Sequence, residues 1–210
     1  MFENFFSQKL YQERTDLCRI MTSYGSDKGR GWHNYTTFYN FLFKDIRKNV
    51  QNVFELGLGT NNPNILSNMG GGGIPCGSLR GWRSYFENAN INGADIDRDI
   101  LVQEDRVKTY YCDQTSPESI DELKRNFDFQ FDIIIEDGLH KFEANKTFFE
   151  NFIDTVKDGG YFIIEDVDRE SFEKFQDYID LNRGKYKHME LVKIPNPDND
   201  WDNNLVVVIK

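Results

Sequence analysis

Two acidic motifs follow two successive apolar runs in this 210-residue sequence. Residues 136–140 read Glu-Asp-Gly-Leu-His after one run, and Glu165-Asp166 follow the next. Both runs have the nearly continuous apolar character of strands buried in a parallel sheet, and neighbouring strands in a sheet lie about 4.8 Å apart. We therefore expect four carboxylates and one imidazole to converge at one edge of a sheet.

Such an edge would favour a bound cation, because neighbouring carboxylates raise each other's pKa unless they are compensated. Oxygen ligands without cysteine suit a hard divalent ion, so we expect Mg²⁺ first, with Mn²⁺ or Ca²⁺ as alternatives. The expected metal ligands are Asp137, Glu165 and Asp166. Glu136 is expected to turn away, and His140 to act as a general base with Asp137 beside it. The alternative for either motif alone is a helix cap or a solvated strand end.

A glycine-containing turn after the first apolar run is typical of close ligand approach to the backbone. Glu55, Gly57 and Gly59 belong to this turn and are expected to face a cofactor. Asn62 stands where a dinucleotide-binding G-x-G-x-x-G motif needs its third glycine, and the acid expected about 20 residues further on is missing. Asp95 ends the second run instead. These features favour a nucleoside without a pyrophosphate, such as S-adenosylmethionine, over NAD.

The polar residues at the ends of the second and third runs are predicted to contact that nucleoside. Asp95 is expected to accept hydrogen bonds from the ribose hydroxyls, with Asp97 as the fallback. Asp113 and Gln114 are placed to contact the adenine, and Asp137 is also expected to face the cofactor. The alternative is a tight turn beside incidental acids and helix caps.

The elements that must position these residues alternate between strands and helices, a pattern that predicts βαβ units and a doubly wound sheet. The expected strands cover residues 52–56, 91–96, 107–111, 131–135, 160–164, 189–194 and 204–209. The expected helices cover parts of 1–22 and residues 37–48, 98–104, 116–126, 141–156 and 170–182. The turn-rich segment 195–200 predicts an antiparallel hairpin between the last two strands.

The predicted fold class is therefore α/β. We expect a Rossmann-like doubly wound sheet that is mostly parallel, with a C-terminal antiparallel hairpin and N-terminal helices. Residues 1–210 are expected to form a single domain, with 1–48 as a helical cover for the active site and 49–210 as the core. Ligands in such sheets bind outside the carboxyl ends of the strands.

Composition excludes several classes of protein. The chain has 25 Lys and Arg against 35 Asp and Glu, a net charge of −10 that disfavours nucleic acid and anionic membranes as partners. A hydrophobic content of 39% excludes a disordered chain. The three cysteines form no C-x-x-C pair, which argues against a disulfide framework or a zinc knuckle. Without a visible signal peptide or an apolar run of about 18 residues, we expect a cytoplasmic protein.

Seven motifs in order, spread over about residues 20–168, connect the chain to a known family. They are Tyr24-Gly-Ser-Asp-Lys28 followed by His33-Asn-Tyr35-Thr, Glu55-x-Gly57-x-Gly59, Gly77-Ser-Leu-Arg80-x-Trp82-x-x-Tyr-Phe, Gly93-x-Asp95, Asp113-Gln114, Asp137-Gly-x-His140 and Gly159-Gly-x-x-Ile-Ile-Glu165-Asp166. The chain resembles the class I S-adenosylmethionine-dependent methyltransferases. Among them it is similar to the metal-dependent sugar O-methyltransferases of the mycinamicin (macrolide deoxysugar) type.

The resemblance implies S-adenosylmethionine as cofactor and Mg²⁺ on the residues matching Asp137, Glu165 and Asp166, with His140 as the base. It also implies that the crossover 67–82 is an insertion beside the cofactor and the substrate. Two departures concern the acceptor. The family usually has Asp-Asp-Gly-Ser-His where this chain has Glu136 and Leu139, and the mycinamicin enzyme carries a large N-terminal extension without a counterpart in these residues. The acceptor is therefore expected to differ in size or kind.

The expected activity is methyl transfer to a hydroxyl of a sugar or related small polar metabolite, by in-line displacement from S-adenosylmethionine. The residues expected to form the acceptor pocket are Tyr24, Lys28, His33, Tyr35, Arg80 and Trp82. One alternative acceptor is a phosphorylated or nucleotide-activated precursor of a capsule or surface polysaccharide. A protein that binds S-adenosylmethionine without catalysis is the alternative of another class, and a homo-oligomer is a family-level expectation.

Overall fold

A computed structural model of the chain describes residues 1–29 and 31–210. Eight strands form one sheet in the order β3-β4-β2-β1-β5-β6-β8-β7. The strands are β1 (Asn52–Leu56), β2 (Asn90–Asp95), β3 (Gln103–Glu104), β4 (Val107–Tyr111), β5 (Phe131–Glu136), β6 (Val156–Ile164), β7 (His188–Lys193) and β8 (Asn204–Ile209). The five strands from β4 to β6 are mutually parallel, whereas β3, β7 and β8 pair antiparallel. The predicted fold class, including the C-terminal hairpin, is confirmed.

Seven α-helices accompany the sheet in the described part of the chain. They are α1 (Glu3–Ser7), α2 (Asp16–Ser23), α3 (Tyr35–Phe43), α4 (Gly77–Tyr85), α5 (Pro117–Lys124), α6 (Phe142–Phe152) and α7 (Arg169–Leu181). Alternate residues of the central strands point to opposite faces, as the two-residue period of a strand requires. Val53 and Ile133 pack with α3 and α4 on one face, and Phe54 and Ile134 pack with α5, α6 and α7 on the other.

Most strand bounds agree with the sequence prediction, but β6 begins four residues earlier than predicted and α3 ends five residues earlier. Two further elements differ in kind. The segment 98–104 is predicted to be helical but forms a single 3₁₀ turn followed by the short edge strand β3. Helix α4 is absent from the prediction because the glycines before and within it are poor helix formers. The apolar side chains at Leu79, Trp82 and Tyr85 recur at three-residue spacing, and that is the signal that could have located this helix.

The strand register brings the functional motifs to one edge. Glu136 at the end of β5 lies opposite Leu56 of β1 on one side and Ile164 of β6 on the other. The residues that follow these three positions therefore leave the sheet side by side. This places the glycine turn and both acidic motifs at the carboxyl edge.

The N-terminal helices share a core with the sheet. Phe5 of α1, Met21 of α2 and Phe38 of α3 are fully buried in the same apolar cluster as α4 and the strand residues of that face. The assignment of residues 1–210 to a single domain stays a prediction. Among the described residues, no helix has the length and apolar character needed to cross a membrane.

Gly93 in β2 provides a test of how closely the crossover packs on the sheet. A Cβ at this position would lie 2.8 Å from Leu58 Cδ2, 2.9 Å from Leu79 Cδ1 and 3.1 Å from the Glu55 carbonyl oxygen. We expect Gly93→Ala to lower the free energy of unfolding by about 1–3 kcal/mol, a fall in Tm of roughly 2–12 °C. Thermal unfolding followed by circular dichroism measures this.

Gly72→Ala is the matched control, because no atom lies within 4 Å of a Cβ built there. Its Tm should stay within about 2 °C of the parent protein. Equal Tm values for the two variants would contradict the packing at β2.

Candidate active site

A cavity of about 410 Å³ opens at the carboxyl edge of the sheet. It is bounded by the ends of β1, β2, β4 and β5, by the crossover between β1 and α4, and by the segment between α2 and α3. Its lining includes Lys28, Glu55, Gly57, Gly59, Leu66, Met69, Ile74, Asp95, Asp113, Gln114, Asp137, His140 and Asp166. The structure thus brings most of the predicted site residues to one cavity.

The glycine turn after β1 lies very close to the backbone that follows β5, and this closeness determines which residues the turn can contain. Gly57 has φ +83°, a conformation that side-chain-bearing residues rarely adopt. A Cβ at Gly57 would lie only 1.8 Å from the Asp137 carbonyl oxygen. The close approach of the Asp137 backbone therefore requires glycine at this position, and the turn forms part of the cavity wall.

The side chains of Asp95 and Asp97 lie in different environments. Asp95 lines the cavity, where its Oδ2 accepts from Leu58 N at 2.7 Å and its Oδ1 from Asp97 N at 2.8 Å. Each carboxylate oxygen can accept a further hydrogen bond. Asp97 is outside the lining and accepts instead from Thr60 Oγ1 and Asp99 N. Of the two predicted ribose contacts, the geometry favours Asp95.

Asp113 and Gln114 both line the cavity, but their polar groups differ in availability. Asp113 Oδ1 accepts from Thr115 N and Oγ1, at 2.9 and 2.6 Å, which leaves its second oxygen free of protein hydrogen bonds among the described residues. The Gln114 amide is engaged at both ends, donating to Glu136 Oε1 at 3.0 Å and accepting from Leu139 N at 2.7 Å. Gln114 therefore fixes the loop after β5.

Glu55 is fully buried beneath the glycine turn. Its Oε1 accepts from Ser78 Oγ at 2.6 Å and its Oε2 from Trp82 Nε1 at 2.5 Å, both on α4. Burial raises the pKa of Glu55, and the Lys28 ammonium at 3.5 Å offsets this in part. The carboxylate thereby ties α4 to the sheet beside the predicted cofactor position.

A cluster of Asp137, His140 and Asp166 forms the far wall of the cavity. Their potential ligand atoms lie within 4.8 Å of one another. His140 Nε2 lies 3.1 Å from Asp137 Oδ1, and its Nδ1 lies 3.5 Å from Asp166 Oδ2. His140 and Asp166 have φ of 55° and 53°, a region that costs free energy for residues with a side chain. Two of the three residues of this cluster therefore have a strained backbone.

The charges around His140 decide its protonation. Burial lowers the pKa of His140, but the opposing effects of Asp166, Asp137 and Glu136 are larger together and raise that pKa to about 10. Burial also raises the pKa of Asp137, and Lys28 and His140 together pull it well below its usual range. The neighbouring carboxylates thus favour the protonated form of the His140 ring, which lies between Asp137 and Asp166.

Glu165 and Glu136 face away from the cavity. Glu165 is 1% exposed, and it accepts from Lys28 Nζ at 2.6 Å and from Tyr39 OH at 2.5 Å. Glu136 accepts from Gln114 and from Gly138 N, and burial raises its pKa to about 7. Glu136 is turned inward, as expected. The role of Glu165 as a metal ligand stays a prediction, since both of its oxygens already accept hydrogen bonds.

The predicted acceptor residues Lys28, His33 and Tyr35 meet the carboxylates from the N-terminal segment. Tyr35 OH donates to Asp166 Oδ1 at 2.7 Å. His33 stacks on Tyr35 with ring centroids 4.8 Å apart, and its Nδ1, 3.6 Å from Asp166 Oδ1, lacks a hydrogen-bond partner among the described residues. Lys28 hydrogen-bonds Asp137 and Glu165. The segment covers the site, but Lys28 and Tyr35 support its acids instead of facing an acceptor.

The other predicted acceptor residues lie elsewhere. Trp82 has no exposed surface, because its ring is in the core and its indole N–H donates to Glu55. The Arg80 guanidinium pairs with Glu104 at 2.6 Å outside the cavity lining. Tyr24 follows the last residue of α2 and also lies outside the lining. None of these three side chains therefore lines the cavity.

Tyr39 is the functional residue that sequence reasoning missed. It belongs to the aromatic, buried face of α3, where a tyrosine is indistinguishable in sequence from a core residue. Its hydroxyl reaches Glu165 across 126 positions of sequence. The only available signal was a hydroxyl at a fully buried position, which needs a partner.

The donor set fits a hard divalent cation. Five carboxylates lie in and beneath the cavity wall. Among the described residues, Lys28 and His140 form ion pairs with them, and His33 Nδ1 lies 3.6 Å from Asp166 Oδ1. The five carboxylates are those of Glu55, Glu136, Asp137, Glu165 and Asp166. Buried negative charge in such excess is costly without a further cation. Asp137 and Asp166 present carboxylate oxygens to the cavity, which are ligands that Mg²⁺ prefers.

The strand order, the glycine turn, the acid ending β2 and the acidic cluster beyond β5 and β6 together define a class I S-adenosylmethionine-dependent methyltransferase. The chain belongs to that class, and its relatives within it are sugar O-methyltransferases. No protein-family profile matches the chain.

Two curated relatives and one solved structure illustrate the similarity. The chain is 35% identical over 154 residues to 8-demethyl-8-(2-methoxy-alpha-L-rhamnosyl)-tetracenomycin-C 3'-O-methyltransferase of Streptomyces olivaceus. It is 34% identical over 155 residues to mycinamicin VI 2''-O-methyltransferase of Micromonospora griseorubida. These matches cover 72% and 73% of this chain but only 37% and 36% of the relatives.

The MycE methyltransferase of mycinamycin biosynthesis, solved with Mg, S-adenosylhomocysteine (SAH) and mycinamycin VI, superposes with a TM-score of 0.73 at 26% identity. The match covers 94% of this chain and 55% of that chain. The structural similarity therefore covers nearly all of this chain, whereas the relatives are considerably longer.

The Arg80–Glu104 pair generates a prediction about acid stability. Hydrogen bonds from Arg80 lower the pKa of Glu104, so its contribution to stability is present above about pH 4.3 and is lost as the pH falls through the lower folded-state pKa. We expect Glu104→Gln to reduce the free energy of unfolding by about 0.5–1 kcal/mol at pH 7, and progressively less below pH 4. Urea denaturation at pH 7 and below pH 4 measures the difference in the free energy of unfolding.

Glu122→Gln serves as the control, because Glu122 is exposed and forms no ion pair among the described residues. Its stability should equal that of the parent at both pH values. An effect of Glu104→Gln that persists unchanged under acid conditions would contradict the ion pair.

Proposed function

We propose that this chain catalyses S-adenosylmethionine-dependent, divalent-metal-assisted methyl transfer to a sugar hydroxyl. The observation that carries the proposal is the Asp137–His140–Asp166 cluster facing a cavity whose opposite wall is the glycine turn with Asp95. One wall suits a nucleoside cofactor, and the other supplies a base beside oxygen ligands. The sugar specificity of the relatives supports the acceptor class.

On the cofactor side, Asp95 has lone pairs available for the ribose hydroxyls. Gly57 and Gly59 line the cavity where we expect the amino acid portion to lie. We expect Asp113 to accept from the adenine amino group through Oδ2, since its Oδ1 already accepts from Thr115. The crossover residues Leu66 and Met69 supply the apolar part of the wall.

When bound, S-adenosylmethionine supplies an electrophilic methyl group, and a divalent cation supplies a Lewis acid that makes a hydroxyl more acidic. Asp137 and Asp166 would hold the cation, with Glu165 as the further predicted ligand. His140 would accept the proton of the acceptor hydroxyl, and its contact with Asp137 Oδ1 holds the ring against the cavity. The cavity walls would hold the acceptor oxygen in line with the methyl group and limit the entry of water.

The cationic side chains argue for a neutral sugar over a phosphorylated acceptor. The sequence offers Lys28, Arg80 and Arg83 as phosphate ligands. Lys28 is buried among carboxylates, and both arginines pair with Glu104. A capsule or surface polysaccharide precursor carrying a phosphate would need other contacts. The cytoplasmic location and a homo-oligomeric assembly stay predictions.

The distinction between Asp95 and Asp97 is testable without knowing the acceptor. We expect Asp95→Asn to weaken SAH binding by roughly 10- to 100-fold, because a charged acceptor of ribose hydrogen bonds is lost. Asp97→Asn is the matched control, since that side chain is outside the cavity lining. Isothermal titration calorimetry measures both. Equal losses in the two variants would contradict the assignment of Asp95.

The catalytic assignment is tested with a labelled methyl donor and a panel of glycosides and sugar nucleotides. We expect label on a glycoside, and a turnover about 10²- to 10⁴-fold lower in His140→Gln, because the base is lost while the cofactor contacts remain. EDTA should also abolish turnover. His188→Gln, at a histidine outside the cavity, is the control.

Three results would contradict the proposal in different ways. Label on sugar nucleotides alone would favour the polysaccharide precursor, and binding of SAH without any turnover would favour a non-catalytic protein. Turnover that survives both EDTA and His140→Gln would exclude the proposed mechanism.

A further inference from the structure

The Lys28 side chain is buried in a place that sequence reasoning does not predict. It is 2% exposed, and its ammonium hydrogen-bonds Asp137 Oδ2 and Glu165 Oε2, the latter at 2.6 Å. Glu55 Oε1 lies 3.5 Å away. One cation is thus shared by the ends of β1, β5 and β6.

No other lysine or arginine in the described part of the chain comes within ion-pair distance of these three carboxylates. The backbone of Lys28 is itself held, because its carbonyl oxygen accepts from Thr36 N at the start of α3. Tyr39 of the same helix donates to the other oxygen of Glu165. The ammonium is therefore fixed in place by α3 and is not a freely moving surface group.

The position of the Lys28 ammonium determines which carboxylate oxygens remain available to a metal ion. Asp137 uses Oδ2 for Lys28 and directs Oδ1 toward His140 in the cavity, whereas Glu165 uses both oxygens for protein groups. The carboxylates that Lys28 neutralises are thus two of the three predicted metal ligands together with the buried Glu55. A divalent ion and the ammonium would act on the same negative charge.

We infer that Lys28 is a resident counter-cation and positioning residue that shares Asp137 and Glu165 with the divalent metal, so that each cation can balance the charge when the other is removed. This inference rests on the metal site of the proposed function. Without Lys28, the metal-free protein would bury Glu55 and Glu165 with no cation in contact, and only His140 would remain beside Asp137. Breaking buried pairs in this way is strongly destabilising.

The test compares the Tm of the parent chain and of Lys28→Met in EDTA and in saturating MgCl₂. We expect Lys28→Met to lower the Tm in EDTA by roughly 6–20 °C. The rise in Tm on adding Mg²⁺ should then be roughly twofold larger, or more, in the variant than in the parent, because the metal replaces a missing charge. A purely structural lysine would lower the Tm equally in both buffers, and that result would overturn the inference.

Lys124→Met is the matched control, because Lys124 pairs with Asp154 at the surface, at 2.7 Å. Its Tm should change little, and its response to Mg²⁺ should equal that of the parent. A Mg²⁺ response in Lys124→Met as large as in Lys28→Met would mean that the metal acts on lysine loss in general, which overturns the inference.

A second variant keeps the test decisive if Lys28→Met does not fold. Lys28→Met combined with Glu165→Gln removes one cation and one carboxylate, and the amide oxygen can still accept from Tyr39. We expect this double variant to have a higher Tm in EDTA than Lys28→Met, or to fold where the single variant does not. A double variant no more stable than the single one would overturn the inference.

Titration of the parent chain with Mn²⁺ by calorimetry separates this inference from the proposed function. Binding of Mn²⁺ to the parent without an enlarged Tm response in Lys28→Met would refute the counter-cation alone. No binding to the parent, together with a metal-dependent Tm in Lys28→Met, would refute metal assistance and leave the counter-cation in place.

Discussion

Negative charge buried at the carboxyl edge of β5 and β6 is the constraint on which the rest of the structure depends. Parallel pairing places Asp137 and Glu165 at adjoining strand ends, and Asp166 follows directly. Carboxylates removed from water repel one another and favour their protonated forms. The fold therefore has to bring compensating groups to this edge, and each neighbouring element can be understood by what it supplies.

The N-terminal segment supplies most of that compensation. Lys28, Tyr35 and Tyr39 reach the acids from positions more than 120 residues away in sequence from Glu165 or Asp166. Their hydrogen bonds hold the cover on the sheet and hold the carboxylates in fixed orientations. Because each hydroxyl and ammonium is buried, the loss of any partner would leave a polar group without compensation. The cover and the acidic edge therefore stabilise each other.

The cavity wall formed by the glycine turn and Asp95 is organised by shape more than by charge. Gly57 lies so close to the backbone after β5 that any side chain would collide with it, and Asp95 is anchored by backbone N–H groups that leave its outer lone pairs available. One wall therefore presents backbone and a hydrogen-bond acceptor, while the other presents carboxylates and an imidazole. This asymmetry separates the proposed cofactor from the proposed chemistry within a single cavity.

The sequence by itself determined the sheet and the acids at its edge. Strand-length apolar runs specify buried parallel strands, and the residue that ends each strand must lie at the carboxyl edge, so Asp95, Asp137 and Asp166 were correctly placed on the cavity wall. Only the tertiary structure decided which polar groups face those acids. Lys28 and Tyr35 support carboxylates, Trp82 is in the core, and Tyr39 reaches Glu165. Such pairings join residues distant in the chain, and local periodicity carries no information about which buried hydroxyl or ammonium meets which carboxylate.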